Sequence, residues 1–280
     1  MSPVLFAVRD LLEVAQSITA APRILADLGR LLRDPNTDLG EVAIQLKHDS
    51  ALASRLLRIA NGAAFAQSEP VGSVEEAAAL IGFAEIHRLV GAIAIAQFSA
   101  DRLPLYGISG RRLRENSLIV ALLMEELAGP AQEDPRACYT IGLFRSLGKF
   151  AVEKLAVRGE PLAPFDPAGP DELTVWETHQ FGRTGNDATA AILHQWHFPH
   201  EISKAIAEHH CAAGRSHPLT HLLNLAAGTA EKLGYGLPGE SIYWLETEEV
   251  YRKSGVDPRD SKGAIDRAFV AFDRLSGALG

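Results

Sequence analysis

Seven histidines crowd between positions 194 and 221: His194, His197, His200, His209, His210, His217 and His221. Imidazole exchanges protons near neutral pH and ligates zinc, so such a cluster is the first place to look for chemistry. His194 and His197 stand three residues apart, and His217 and His221 four, spacings that share one helical face. Glu201, Glu208 and Cys211 are the other ligand types nearby. Against a metal, the doublet His209-His210 points two ways, about 100° apart on a helix, so at most one ring faces a common centre. The doublet reads first as one buried histidine bonded to a carboxylate beside an exposed neighbour, and second as a contact for a ligand or partner. Arg145 lies in an apolar stretch, where it either binds an anion such as phosphate or, the preferred reading, makes an internal ion pair with Glu177 or Asp187. Trp196 and Phe198 flank His197 before Pro199 and read as core aromatics at a helix entry. No Walker loop, nucleophile elbow or dinucleotide fingerprint is present.

The elements that position these residues are helical. Apolar residues recur at three and four positions almost throughout, and alternating β-branched runs are nearly absent, so the expected class is all-α. Asp38 with Glu41 and Ser73 with Glu76 have capping-box spacing, Asp134-Pro135 suits a helix start, and Phe198-Pro199 the entry to a helix carrying Ile202, Ile206 and His209. In residues 33–65 two amphipathic helices meet near His48 to Ser50, and Leu52, Leu56 and Leu57 can face a core. Asn61, followed by Gly62, is either a C-terminal cap or a buried amide tying two helices to a loop. The stretch from Asp101 to Gly110 carries Pro104, Gly107 and Gly110 and reads as a joint, and Gly159 to Pro170, with four prolines, as a loop.

Composition narrows the function classes. With 280 residues, 47% of them hydrophobic, the chain can bury a large core or two packed subdomains. A net charge of −8 argues against a general nucleic-acid surface. Cys138 and Cys211 form no CxxC pair and fit a reducing compartment. The N-terminus lacks signal-peptide architecture, and the most apolar stretch, Leu89 to Ala96, falls far short of the roughly 20 residues that span a bilayer. A soluble, cytoplasmic protein with no membrane association is expected.

Residues 142–149 read Gly-Leu-Phe-Arg-Ser-Leu-Gly-Lys. This octapeptide resembles Gly-Leu-Leu-His-Asp-Ile-Gly-Lys, the motif of the HD phosphohydrolases whose adjacent His and Asp bind metal; here Arg145 and Ser146 stand in their places. Upstream, Asp49, Leu52, Leu56, Leu57, Arg58 and Asn61 resemble the pattern of the HDOD family, a bacterial signalling module related to the HD enzymes. Ser50 and Gly62 depart from it, at places where the family usually has proline and serine. Residues 73–82, ending in Ile81-Gly82, resemble that family's next helix, and the likeness runs from about residue 20 to about 235. At the remaining metal-ligand positions the resemblance places Asn116, Gly185 and Gly228; only the His209-His210 doublet, with Ile206 before it, matches. A guanidinium has no lone pair to offer a cation, so the frame of the motif survives without its chemistry.

The resemblance implies two packed helical subdomains, an HDOD-type bundle over residues 1–105 and a degenerate HD-like bundle with a C-terminal extension over 106–280. The function it implies is non-catalytic bacterial signal transduction, in cyclic di-GMP or related networks, by binding signalling proteins or a nucleotide ligand. Asn61, Arg145, Glu177, Trp196, His209 and His210 are the candidate contact residues. No catalytic residue, metal or cofactor is expected, and a homo-oligomer is compatible with the sequence. The alternative is a metal-dependent phosphodiesterase with a relocated site among the 194–221 histidines. The extension from Gly236 onward matches no motif and is expected to cover the bundle or make a dimer contact.

Overall fold

The computed structural model describes residues 6–17, 21–31, 37–62, 69–99, 102–157, 162–215, 217–245 and 248–279. Among them every extended element is helical, and the one isolated bridge pairs Leu103 with Ile108. The chain forms two compact units, one from residues 19–97 and 270–280, the other from 1–18 and 98–269. Each unit is discontinuous in sequence, whereas periodicity along a chain delineates contiguous halves. The turn at Leu103–Ile108, with Gly107 left-handed at φ 64°, lies just past the junction between residues 97 and 98.

The smaller unit contains α2 (Ala21–Leu31), α3 (Leu39–Lys47), α4 (Ser50–Ala60) and α5 (Val74–Ile81), and α6 (Phe83–Phe98) leads out of it. The capping box at Asp38 is complete: its carboxylate accepts from Glu41 N–H, and Glu41 reaches back to the cap. Ser73 accepts from Glu76 N–H at 3.1 Å, but the Glu76 carboxylate accepts from Gly72 N–H instead of closing the box on Ser73. Asn61 caps α4 and does more. Its amide donates to Leu57 C=O at 2.9 Å and Val71 C=O at 3.0 Å and accepts from Val71 N–H at 2.7 Å, so it staples the chain across ten residues. Both sequence readings of Asn61 thus hold in part, but the amide is exposed, not buried.

The larger unit carries α1 (Val8–Ser17), α7 (Gly110–Ala131), α8 (Pro135–Phe144), α9 (Leu147–Ala156), α10 (Leu173–Phe181), α11 (Gly185–Gln195), α12 (His200–Glu208), α13 (Pro218–Ala230) and α14 (Glu248–Ser254). The last helix, α15 (Asp260–Leu279), starts here and runs on into the smaller unit. Asp134 caps α8 through Arg136 N–H with Pro135 behind it, and Pro199 stands at the cap of α12. Two glycines set the spacing of the bundle. A Cβ on Gly142 would lie 2.6 Å from the backbone of Ala121, and one on Gly148 would lie 1.9 Å from Gly185 C=O, so α8 and α9 approach α7 and α11 backbone to backbone. That close approach brings the octapeptide, at the α8–α9 turn, into the middle of the unit. Among the described residues no single helix is long and apolar enough to cross a membrane.

Candidate functional site

The α8–α9 turn projects two cations inward. Arg145 is the C-cap of α8, and Lys149 lies in the first turn of α9; both are buried, the arginine to 1% exposure. Their common partner is Glu240, which has no exposed surface at all. Arg145 Nη2 donates to Glu240 Oε2 at 2.8 Å and to Asn116 Oδ1 at 2.7 Å, and Lys149 Nζ lies 2.8 Å from Glu240 Oε1. Burial by itself would raise the Glu240 carboxyl; Arg145 and Lys149 outweigh that and hold it well below the usual carboxylate range. Asn116 comes from α7, and its amide donates to Tyr235 C=O.

The ion pair expected for Arg145 is present, but its acid is neither Glu177 nor Asp187. Asp187 closes a capping box with Thr184 at the start of α11. Glu177, on α10, accepts from Gly185 N–H at 2.9 Å and is raised by burial despite the nearby Lys149 charge. Tyr106 stands in the field of Glu177, and burial pushes its phenol well above the ordinary value.

The histidine doublet is also corrected. Both rings are buried, because His209–Gly214 is a tight 3-10 turn with a break at Cys211, and the following segment folds over it. His209 Nδ1 contacts Ile206 C=O at 2.7 Å and its ring stacks near Trp244; the His210 ring lies flat on Tyr243 at 4.3 Å, with Nε2 3.9 Å from Glu240 Oε1. Burial, then the Arg145 charge, lowers His209 to about 3, and burial with His209 alongside takes His210 well below its ordinary value. Both are therefore neutral imidazoles at physiological pH. The other histidines disperse: His194, His197 and His200 are exposed, and His221 Nε2 contacts Arg215 C=O. Among the described residues no three His, Cys, Asp or Glu side chains converge as a metal would require. Trp196 and Phe198 both pack edge-on against Phe144 in the core, and neither is among the contacts of the ion pair described above.

Residues 234–245 are what sequence reasoning missed. Arg112 Nε donates to Gly236 C=O at 2.7 Å, and Asn224 donates to Tyr243 C=O at 2.7 Å and accepts from Leu245 N–H at 2.9 Å. The Tyr243 hydroxyl accepts from Thr174 N–H at 3.1 Å. Thus anchored, the segment places Glu240, Tyr243 and Trp244 where the octapeptide turns inward. The space beside the ligand positions is taken as well. A Cβ on Gly228 would meet Trp244 Cβ at 2.9 Å, and one on Gly185 would meet Glu177 Oε1 at 2.8 Å. Trp244 also lies under the Arg145 guanidinium, 5.6 Å from its centre.

This is an HD-like helical bundle with an ion pair at its centre. The HDOD domain family pattern matches residues 18–212, and the chain belongs to the HDOD family. Three solved structures share its fold. An HDOD domain protein of unknown function from Geobacter sulfurreducens is 19% identical over 97% of this chain and 98% of its own, with a TM-score of 0.66. A Marinobacter aquaeolei VT8 protein assigned to signal transduction is 20% identical, covers 97% of this chain and 64% of its own, and has a TM-score of 0.66. A Shewanella amazonensis SB2B protein assigned as a phosphohydrolase is 21% identical over 97% and 98%, with a TM-score of 0.63. At these identities the likeness is one of fold. No curated protein sequence matches the chain. The divalent metal of HD enzymes does not fit the side chains here: Asn116, Arg145, Ser146, Gly185 and Gly228 offer no imidazole or carboxylate, and a guanidinium would repel the cation.

Proposed function

We propose that this chain is a non-catalytic regulatory module of signal transduction, acting by binding a protein partner or a small ligand. One observation carries the reading: at the α8–α9 turn, where the octapeptide resembles the HD metal motif, the bundle holds a buried Arg145–Glu240–Lys149 network. Metal-assisted phosphoester hydrolysis needs a cation that lowers the pKa of a bound water and an open coordination position. Two buried cations sharing one carboxylate provide neither. Family membership supports the same direction, as does the signal-transduction assignment of the Marinobacter relative in fold. A cyclic dinucleotide network and a cytoplasmic location are part of this proposal and rest on the family alone.

The rival reading is a phosphodiesterase using the histidines of positions 194–221, and the dispersal of those side chains weighs against it. The two are separated by assaying purified full-length protein against linear and cyclic phosphodiesters with added Mn²⁺, Mg²⁺ or Fe²⁺. The expected result is no turnover above the buffer rate. Hydrolysis that a chelator abolishes and that is lost in His209→Ala would overturn the proposal.

A further inference from the structure

Arg145 has unspent capacity. Of its three guanidinium nitrogens only Nη2 is bonded; Nε and Nη1 are buried without a partner, as are His209 Nε2 and the Ser146 hydroxyl. Buried polar groups are nearly always satisfied, so two unpartnered nitrogens on one guanidinium mark a place that accepts more than the protein supplies. What it already accepts is informative. A carboxylate held between a guanidinium and an ammonium, each at 2.8 Å, has the charge and donor arrangement that also receives a phosphate oxygen.

The site also has an approach. An open cavity of about 490 Å³ lies between α10, the start of α11 and the 209–215 turn, lined by Thr174, Thr178, Asn186, His210, Cys211 and Arg215 among others. His210 belongs to both places: it lines the cavity, and its Nε2 is 3.9 Å from Glu240 Oε1. Tyr243, stacked on His210, is bonded through its hydroxyl to Thr174 on the cavity wall. The His210–Tyr243 stack thus joins the cavity wall to the carboxylate that the two cations hold. Both rings belong to short turns, not to long helices.

We propose that Arg145 and Lys149 form an oxyanion site for a phosphate group, occupied in this conformation by the chain's own Glu240 and reached from the cavity past His210. Glu240 stands in for the ligand's charged oxygens. Binding exchanges one anion for another and breaks no covalent bond; Glu240 leaves for solvent, and the turn from Gly239 to Trp244 leaves with it. The inference concerns what the buried cations accept and stands whether or not the chain signals.

The test removes the internal competitor. An intramolecular group acts at an effective concentration of millimolar or more, so its loss raises apparent affinity for an outside anion by roughly tenfold or more. Inorganic phosphate is titrated by calorimetry into full-length wild type and Glu240→Gln, at constant ionic strength set with chloride. Glu240→Gln keeps the shape and removes the charge. The expected result is one phosphate per chain, bound at least about that much tighter than by wild type, and lost when Arg145→Met is added. A parallel titration with phenyl phosphate distinguishes the sources: equal binding assigns the site to phosphate monoesters, and binding of inorganic phosphate alone assigns it to the free ion. A folded Glu240→Gln that binds phosphate no better than wild type overturns the proposal, as does binding that survives Arg145→Met. Should Glu240→Gln be unfolded, recovery of its helical circular dichroism in phosphate but not in chloride supports the site, and equal behaviour in both overturns it.

Discussion

Arg145 illustrates how far residue-scale chemistry can be read from a sequence. That a buried guanidinium needs an acid follows from charge alone, but which acid depends on chain distance, and Glu240 lies 95 positions away in a Pro-Gly-rich stretch that looks solvated. The three charges are not equivalent. Arg145→Met leaves Glu240 beside Lys149 and so keeps the anion paired. Glu240→Ala leaves two buried cations with no contacting anion, and its expected cost is about 3–5 kcal/mol, the larger of the two. Urea midpoints of the two variants check the order. The doublet makes a second prediction at this scale. His209, at about 3, and His210, well below 6.5, stay neutral when folded but take up protons when unfolded. Below pH 6.5 the unfolded state therefore binds more protons, and stability falls by about 1.4 kcal/mol per pH unit for each ring. Glu240, held low, keeps its contribution above pH 4.5 and loses it only as pH falls further. Glu177, raised by burial, works the other way above 4.5 and offsets part of the loss. Melting temperatures should fall from pH 7 to pH 5, and His210→Gln should remove about half of the histidine slope. A flat profile over that range would mean the rings are not held neutral.

At the scale of elements, signals that act within a few residues were legible. Asp38, Ser73 and Asp134 all cap as their local chemistry allows, and the helical period runs through both units. Two features were not. The 209–214 turn keeps helical periodicity, so nothing in the spacing of Ile206, His209 and His210 marks the break at Cys211 that lets both rings point inward. The two glycines of the octapeptide carry no local mark of packing, yet both are contacts. Gly148 sits where α9 touches α11, and its missing Cβ is what allows the Gly148 N–H to donate to Thr189 Oγ1 at 2.8 Å. Gly148→Ala should force the helices apart and cost about 3 kcal/mol or more by overpacking. Gly263→Ala, on α15, meets only the end of the Arg267 side chain and should stabilise by about 0.5–1 kcal/mol through helix propensity. Opposite shifts in the thermal midpoints are expected; similar shifts would mean that the close approach of α9 and α11 carries no strain.

At the scale of the whole molecule, the proposed replacement of a metal site involves more than the types of a few ligand residues. A metal and its water would occupy volume and bring charge, and on the proposed reading three separate stretches of this chain supply both instead. Arg145 and Lys149 bring positive charge on the α8–α9 turn, Glu240 returns the negative charge from beyond α13, and Trp244 and Glu177 occupy the space that side chains at Gly228 and Gly185 would need. Local motifs report the first of these and are silent on the rest, because the filling segment has no pattern of its own. It follows that restoring the motif should not restore the metal. In Arg145→His/Ser146→Asp the new imidazole stands beside Glu240, with Asn116 and two glycines still at the other positions that correspond to HD ligands by resemblance. The expected outcome is well below one Mn²⁺ per chain by elemental analysis after dialysis, together with lower stability, since Glu240 has lost its guanidinium. Adding Asn116→His, Gly185→His and Gly228→Asp supplies ligands but drives side chains into Glu177 and Trp244, so the fivefold variant should be less stable still. Stoichiometric metal in the double variant would mean that residues 234–245 yield to a cation, and that the ion pair covers a metal site instead of replacing it.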